Sequence, residues 1–138
     1  MRRILVIACI LLCAVGLAQA QDTPYRVVFD LTSNDSLNQR AIMRWIKEIT
    51  TSNPQAQIEV VMYGKGFELV MPERSTYIHD VENAMKMPNV AFKVCEVALK
   101  NNNVSKSAIL NGAGTVPDGI YEIISKQHQG WGYIKVAR

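Results

Sequence analysis

Paired cysteines are what this 138-residue sequence most plainly lacks. It has three cysteines, and Cys9 and Cys13 both fall in a leader-like N-terminus, which leaves Cys95 alone in the rest of the chain. An internal disulfide is thereby excluded for residues 21–138, and so is a Cys-x-x-Cys metal or redox pair. The two histidines, His79 and His128, are far apart and have no His-x-x-x-His or Cys-x-x-Cys partner, so no metal site is expected. Neither is tied by motif spacing to an Asp or Asn, which argues against a Cys-His hydrolase arrangement. Gly64-Lys65-Gly66 lacks the third glycine of a dinucleotide fingerprint and the Gly-Lys-Ser/Thr of a P-loop, and no cofactor is expected. Internal repeats, low-complexity tracts and linkers are also missing.

Charge of one sign is scarce as well. The chain carries 15 Lys and Arg against 12 Asp and Glu, for a formal net charge of +3. Arg2 and Arg3 belong to the leader, so residues 21–138 keep thirteen basic and twelve acidic side chains and a net charge of +1. Such a balance gives no reason to expect nucleic acid or an anionic membrane surface as partner.

What is present begins with that leader. Met1-Arg2-Arg3 is a positive start, Ile4 to Leu17 is almost unbroken apolar sequence, and Ala18-Gln19-Ala20 has the small-x-small form of a signal peptidase site. Residues 1–20 therefore read as a signal peptide cleaved after Ala20, with export to a bacterial periplasm and no stable membrane insertion once the leader is gone. Val6-Ile7-Ala8-Cys9 loosely fits a lipoprotein pattern but stands too early in the apolar stretch. Residues 21–138 are long enough for one domain with a single core. In an oxidising compartment an unpaired Cys95 is a liability unless it is buried or used, and the sequence leaves both open.

Along the chain, short β-branched runs alternate with helical patterns. Tyr25–Leu31 reads as a strand, followed by a helix from Leu37 to about Thr51 that Asp35 or Ser36 can cap and that turns Leu37, Ala41, Ile42, Trp45, Ile46 and Ile49 to one face. Gln57–Tyr63 is the second strand; Gly64 and Gly66 then allow a tight turn into a short helix stopped by Pro72. A helix around Val81, Ala84 and Met85 precedes a third strand, Val90–Val94. Cys95 stands at its junction with a helix from Glu96 to about Lys100, where a helix end would lower a thiol pKa and the adjacent Glu96 would raise it. Ser105–Leu110 reads as a partly helical connector, and Asn111–Val116 as a Gly-rich segment carrying a very short fourth strand. Pro117 suits a helix start, with Ile120, Ile123 and Ile124 on the buried side as far as His128, and Trp131–Val136 is the last strand. Trp131 and Tyr133 alternate on it as core or subunit-interface residues. Three main crossovers between strands of like character predict an α/β fold, a three-layer α/β/α arrangement on a mostly parallel five-stranded sheet.

Several segments together resemble the DsrE/DsrF-like family: Val94-Cys95-Glu96-Val97-Ala98-Leu99, the Gly64-Lys65-Gly66-Phe67-Glu68-Leu69 turn, Val116-Pro117-Asp118-Gly119, and Lys126-Gln127-His128-Gln129-Gly130-Trp131-Gly132-Tyr133-Ile134-Lys135. The resemblance spans nearly all of residues 21–138. It implies a DsrE-like, flavodoxin-like topology, assembly into homo-oligomers, and sulfur chemistry at Cys95, which would accept sulfane sulfur as a persulfide and exchange it with a thiol- or persulfide-bearing protein or small molecule. The alternative is a binding or assembly module in which Cys95 is an inert, buried residue. Gly64, Gly66, Asn111 and Gly112 are candidate substrate-contacting positions because glycine turns expose backbone amides, though the same residues also serve simply as turns.

Overall fold

A computed structural model of the chain describes residues 24–137; the expected signal peptide lies outside the described residues. The elements alternate in chain order: β1 (Arg26–Leu31), α1 (Ser36–Ser52), β2 (Gln57–Met62), a 3-10 turn (Gly66–Val70), α2 (Ile78–Met85), β3 (Val90–Cys95), α3 (Glu96–Asn101), a second 3-10 turn (Lys106–Ala108), β4 (Gly114–Val116), α4 (Gly119–His128) and β5 (Gly132–Lys135). The strands lie in the order β4-β3-β2-β1-β5. Every neighbouring pair is parallel, so the sheet is wholly rather than mostly parallel.

Side chains alternate across a strand, and here the alternation divides the sheet into two unlike faces. One face presents Val27, Phe29 and Leu31 from β1, Ile58, Val60 and Met62 from β2, and Val90, Phe92 and Val94 from β3. These pack with Ile42, Met43 and Ile46 of α1, Phe67 and Leu69 of the first 3-10 turn, Val81 and Ala84 of α2, and Ala98 and Leu99 of α3. Fully burying one such side chain is worth roughly 1.5–3 kcal/mol, so this face carries most of the stabilisation. Of the described helices, α4 covers the other face, through a small apolar cluster of Val28, Val61 and Ile123 with Tyr63 and Trp131 against it.

Local chemistry explains the helix starts. Asp35 Oδ1 accepts the backbone N–H groups of Leu37 (2.8 Å) and Asn38 (3.3 Å), a cap worth about 1 kcal/mol. The buried stripe of α1 is turned further than expected, taking in Asn38, Gln39 and Met43 as well as Ile42 and Ile46. For α4 the cap is Asp118, not Pro117: its Oδ1 accepts from Ile120 N (2.8 Å) and Tyr121 N (3.3 Å). The expected buried side of α4 also needs correction. Ile123 is buried, but Ile120 is 56% and Ile124 44% exposed, because the sheet is met by the stripe through Gly119, Ile123 and Lys126. The short helix expected after Gly66 is a 3-10 turn.

Candidate functional site

β3 runs one residue further than expected and ends on Cys95 itself, which occupies the N-cap position of α3 without making a side-chain capping bond. Cys95 is a free cysteine, 5% exposed. In the register it lies beside Val116, the last residue of β4. The close neighbour above it is Gly119, the first residue of α4. A Cβ at that position would stand 3.1 Å from Cys95 Cβ, 3.3 Å from Val61 Cγ1 and 3.5 Å from Tyr63 Cβ. Glycine at 119 therefore lets the first turn of α4 close over the thiol, with Tyr63 on the far side of the same gap.

Glu96, next in sequence, is drawn away into its own network. Its Oε1 accepts from Thr115 Oγ1 (2.7 Å) and pairs with Lys106 Nζ. The Lys106 bond, followed by that of Thr115, holds the carboxyl below the usual glutamate range. A depression of about 390 Å³ opens beside these residues, lined by Glu96, Val97, Leu99, Lys100, Val104, Lys106 and Pro117.

A second cluster at the same end of the sheet was not foreseen from the sequence. Asp30 on β1 is 2% exposed. Its Oδ2 accepts both the Tyr133 hydroxyl (2.6 Å) and the Tyr63 hydroxyl (3.1 Å). Burial and then the Asp30 charge push the Tyr63 phenol up to about 12. The bond to Asp30, followed by burial, pushes Tyr133 up to about 12 as well, so both phenols remain protonated donors at neutral pH. Lower on the same face, buried Glu59 on β2 pairs with Lys126 Nζ of α4 at 2.8 Å. That ammonium also lies 4.5 Å from the Trp131 ring centroid and 3.6 Å from Glu122 Oε1. Burial raises the Glu59 pKa despite the opposing pull of Lys126.

The glycine and asparagine positions expected to contact substrate fall elsewhere or have packing reasons of their own. At Gly64, with φ of 56°, a Cβ would sit 2.9 Å from Thr32 O; at Gly66 it would sit 2.0 Å from Leu31 O. Both are close backbone approaches that hold the end of β2 to the end of β1. Asn111 and Gly112 form a turn ahead of β4, where the nearest atom to a Gly112 Cβ is Met85 Sδ of α2 at 3.5 Å. Gly119 is the glycine brought beside Cys95. His79 is exposed and bonded to Glu82 (3.2 Å), and no group of three His, Cys, Asp or Glu side chains able to hold a metal occurs among the described residues.

An open, wholly parallel α/β sheet with the one thiol of the described residues and an acid-phenol cluster at the carboxyl ends of its strands defines a class in which ligands bind along that edge. The family model described as DsrE/DsrF-like matches residues 17–136, and the chain belongs to that family. Among solved structures, it is similar to a protein of unknown function from Methanobacterium thermoautotrophicum, with 27% identity and a TM-score of 0.75 over 80% of this chain and 98% of that one. A conserved protein of unknown function from Bacteroides thetaiotaomicron shares the fold at 13% identity, with a TM-score of 0.62 over 81% of this chain and 95% of that one. Comparison with curated proteins gives no match.

Proposed function

We propose that this protein is a sulfur-relay component that carries sulfane sulfur as a persulfide on Cys95. The observation that carries the reading is the position of this thiol, the only one in residues 21–138, at the carboxyl end of β3 in a DsrE/DsrF-like chain. In the proposed step the Cys95 thiolate attacks the outer sulfur of a donor persulfide. A new S–S bond forms on Cys95, the donor's S–S bond breaks, and the donor leaves as a thiolate, so no outside oxidant is required. The acceptor thiol then repeats the exchange in the other direction.

Burial of Cys95 sets a condition on this chemistry. A thiol 5% exposed cannot meet a donor sulfur in line unless the first turn of α4, or the Glu96–Pro117 side, gives way. The same burial favours a second reading, a binding or assembly module in which Cys95 is inert. Intact mass after treatment with a low-molecular-weight persulfide, paired with native-state alkylation, separates the two. The relay predicts a gain of one reducible sulfur atom, lost in Cys95→Ser. A native protein that takes up no labile sulfur and resists alkylation supports the module instead.

Export to the periplasm after cleavage at Ala20, a thiol- or persulfide-bearing partner, and homo-oligomers belong to the same proposal. Ile120, Tyr121 and Ile124, all exposed along the outer side of α4, supply an apolar stripe suited to contact between copies. No described helix is long and apolar enough to cross a membrane. Gly64 and Gly66 stay in the proposal as backbone elements of the edge where the donor would lie, and Asn111 and Gly112 as more distant ones.

A further inference from the structure

Three side-chain polar atoms among the described residues are buried without any hydrogen-bond partner: Arg26 Nε, Asp30 Oδ1 and Glu59 Oε1. All three residues project onto the α4 face of the sheet, as the alternation along β1 and β2 requires. Glu59 has Lys126 on its other oxygen. Asp30 is different, because no Lys, Arg or His nitrogen of the described residues forms an ion pair with it, not even that of Lys135, its neighbour in the β1–β5 register. Two phenols bond to Oδ2, and no described residue bonds to Oδ1. A buried carboxylate in this condition is costly, and a fold built only for stability would place an amide or an apolar residue there.

We propose that Asp30, with Tyr63 and Tyr133 around it, is a binding site for a protonated amine. The chemistry of this oxygen selects the ligand. Oδ1 offers a single acceptor, so it suits one N–H donor rather than the two-pronged guanidinium, which needs both carboxylate oxygens. A divalent cation would find only Oδ1 and the two phenol oxygens here and would have to draw its remaining oxygen ligands from water, which a carboxyl only 2% exposed does not meet. Tyr133, 40% exposed, is the more exposed of the two phenols, and an ammonium reaching Oδ1 would have to displace it. The site requires nothing of Cys95, so its failure would leave the sulfur reading standing, and the reverse also holds.

The test uses the protein labelled with 13C in its tyrosine rings and titrated with methylammonium at constant ionic strength. The expected result is a saturable shift confined to Tyr63 and Tyr133, with Tyr25, Tyr77 and Tyr121 as internal controls. Tetramethylammonium, which has the charge but no N–H, and sodium are expected to leave the signals in place. Asp30→Asn should weaken the methylammonium affinity by about tenfold or more. The proposal is overturned if all five tyrosines respond alike, if none responds, if tetramethylammonium or sodium gives the same shifts, or if Asp30→Asn binds as wild type does. Should that variant fail to fold, the wild-type contrast between methylammonium and tetramethylammonium decides alone.

Discussion

Beneath α1, α2 and α3 the sheet offers Phe29, Val60, Phe92 and their neighbours, with hardly a polar atom among them. Beneath α4 it offers Arg26, Asp30, Glu59 and Lys93, interspersed with Val28, Val61, Ala91 and Cys95. The first face has three helices and a 3-10 turn to cover it, the second a single helix of ten residues. Dispersion and burial therefore hold one side, while hydrogen bonds and paired charges organise the other. Polar networks cost stability but fix directions, which is what a binding surface needs and a core does not.

Substitutions can break or sharpen this contrast. The largest effect is expected on the apolar face. Phe92→Ala should cost about 3–5 kcal/mol in chemical denaturation, since a fully buried ring leaves a cavity. A loss under about 1 kcal/mol would mean that this face is not the main core. Next comes a glycine on the polar face. Gly119→Ala forces a methyl to within 3.1 Å of Cys95 Cβ and 3.3 Å of Val61 Cγ1, at a cost of roughly 1–3 kcal/mol. Because strain there lifts the first turn of α4, Cys95 alkylation should also become faster than in wild type. Unchanged alkylation would show that α4 does not guard the thiol.

Titration offers a finer comparison. Glu59 has a pKa raised above its ordinary value of 4.5 by burial, so its contribution to stability is fully present below that value and is lost as pH rises through the folded pKa. The stability of wild type relative to Glu59→Gln should accordingly fall as pH is raised from about 4 towards neutrality, and a flat difference would count against the burial. For the phenols, absorbance titration should find two of the five tyrosines ionising only near pH 12. In Asp30→Asn the negative charge is lost while an amide oxygen remains, so Tyr133, held up first by Asp30, should move back towards 10 further than Tyr63, whose first cause is burial. The smallest effect on stability is expected at the outer side of α4. Replacing Ile120, Tyr121 and Ile124 together by serine should change unfolding by about 0.5 kcal/mol or less per site, and should abolish in sedimentation velocity the association between copies proposed for this stripe.

Much of this fold was legible in the chain. The β-branched runs of β1, β2 and β3, the Asp35 cap and the amphipathic α1 are local signals, read from residues within one turn or one strand. Cys95 was equally legible, because a count of thiols needs no structure. Misreadings came where burial depends on neighbours. Ile120 and Ile124 have the spacing of a buried stripe, yet α4 approaches the sheet through Gly119, and the isoleucines face outward. No local pattern singles out Asp30. It lies 103 residues from Tyr133, and the two meet only because β5 returns to pair with β1 rather than with β4.

By itself, then, the sequence determined the alternation of strands and helices and the solitary thiol at the end of the third strand, because both rest on short-range periodicity and composition. Tertiary structure alone decided that this thiol lies under α4. The same strand order gathered an acid and two phenols at the same end of the sheet, since contacts between distant segments follow from strand order and from the one described helix that covers the second face.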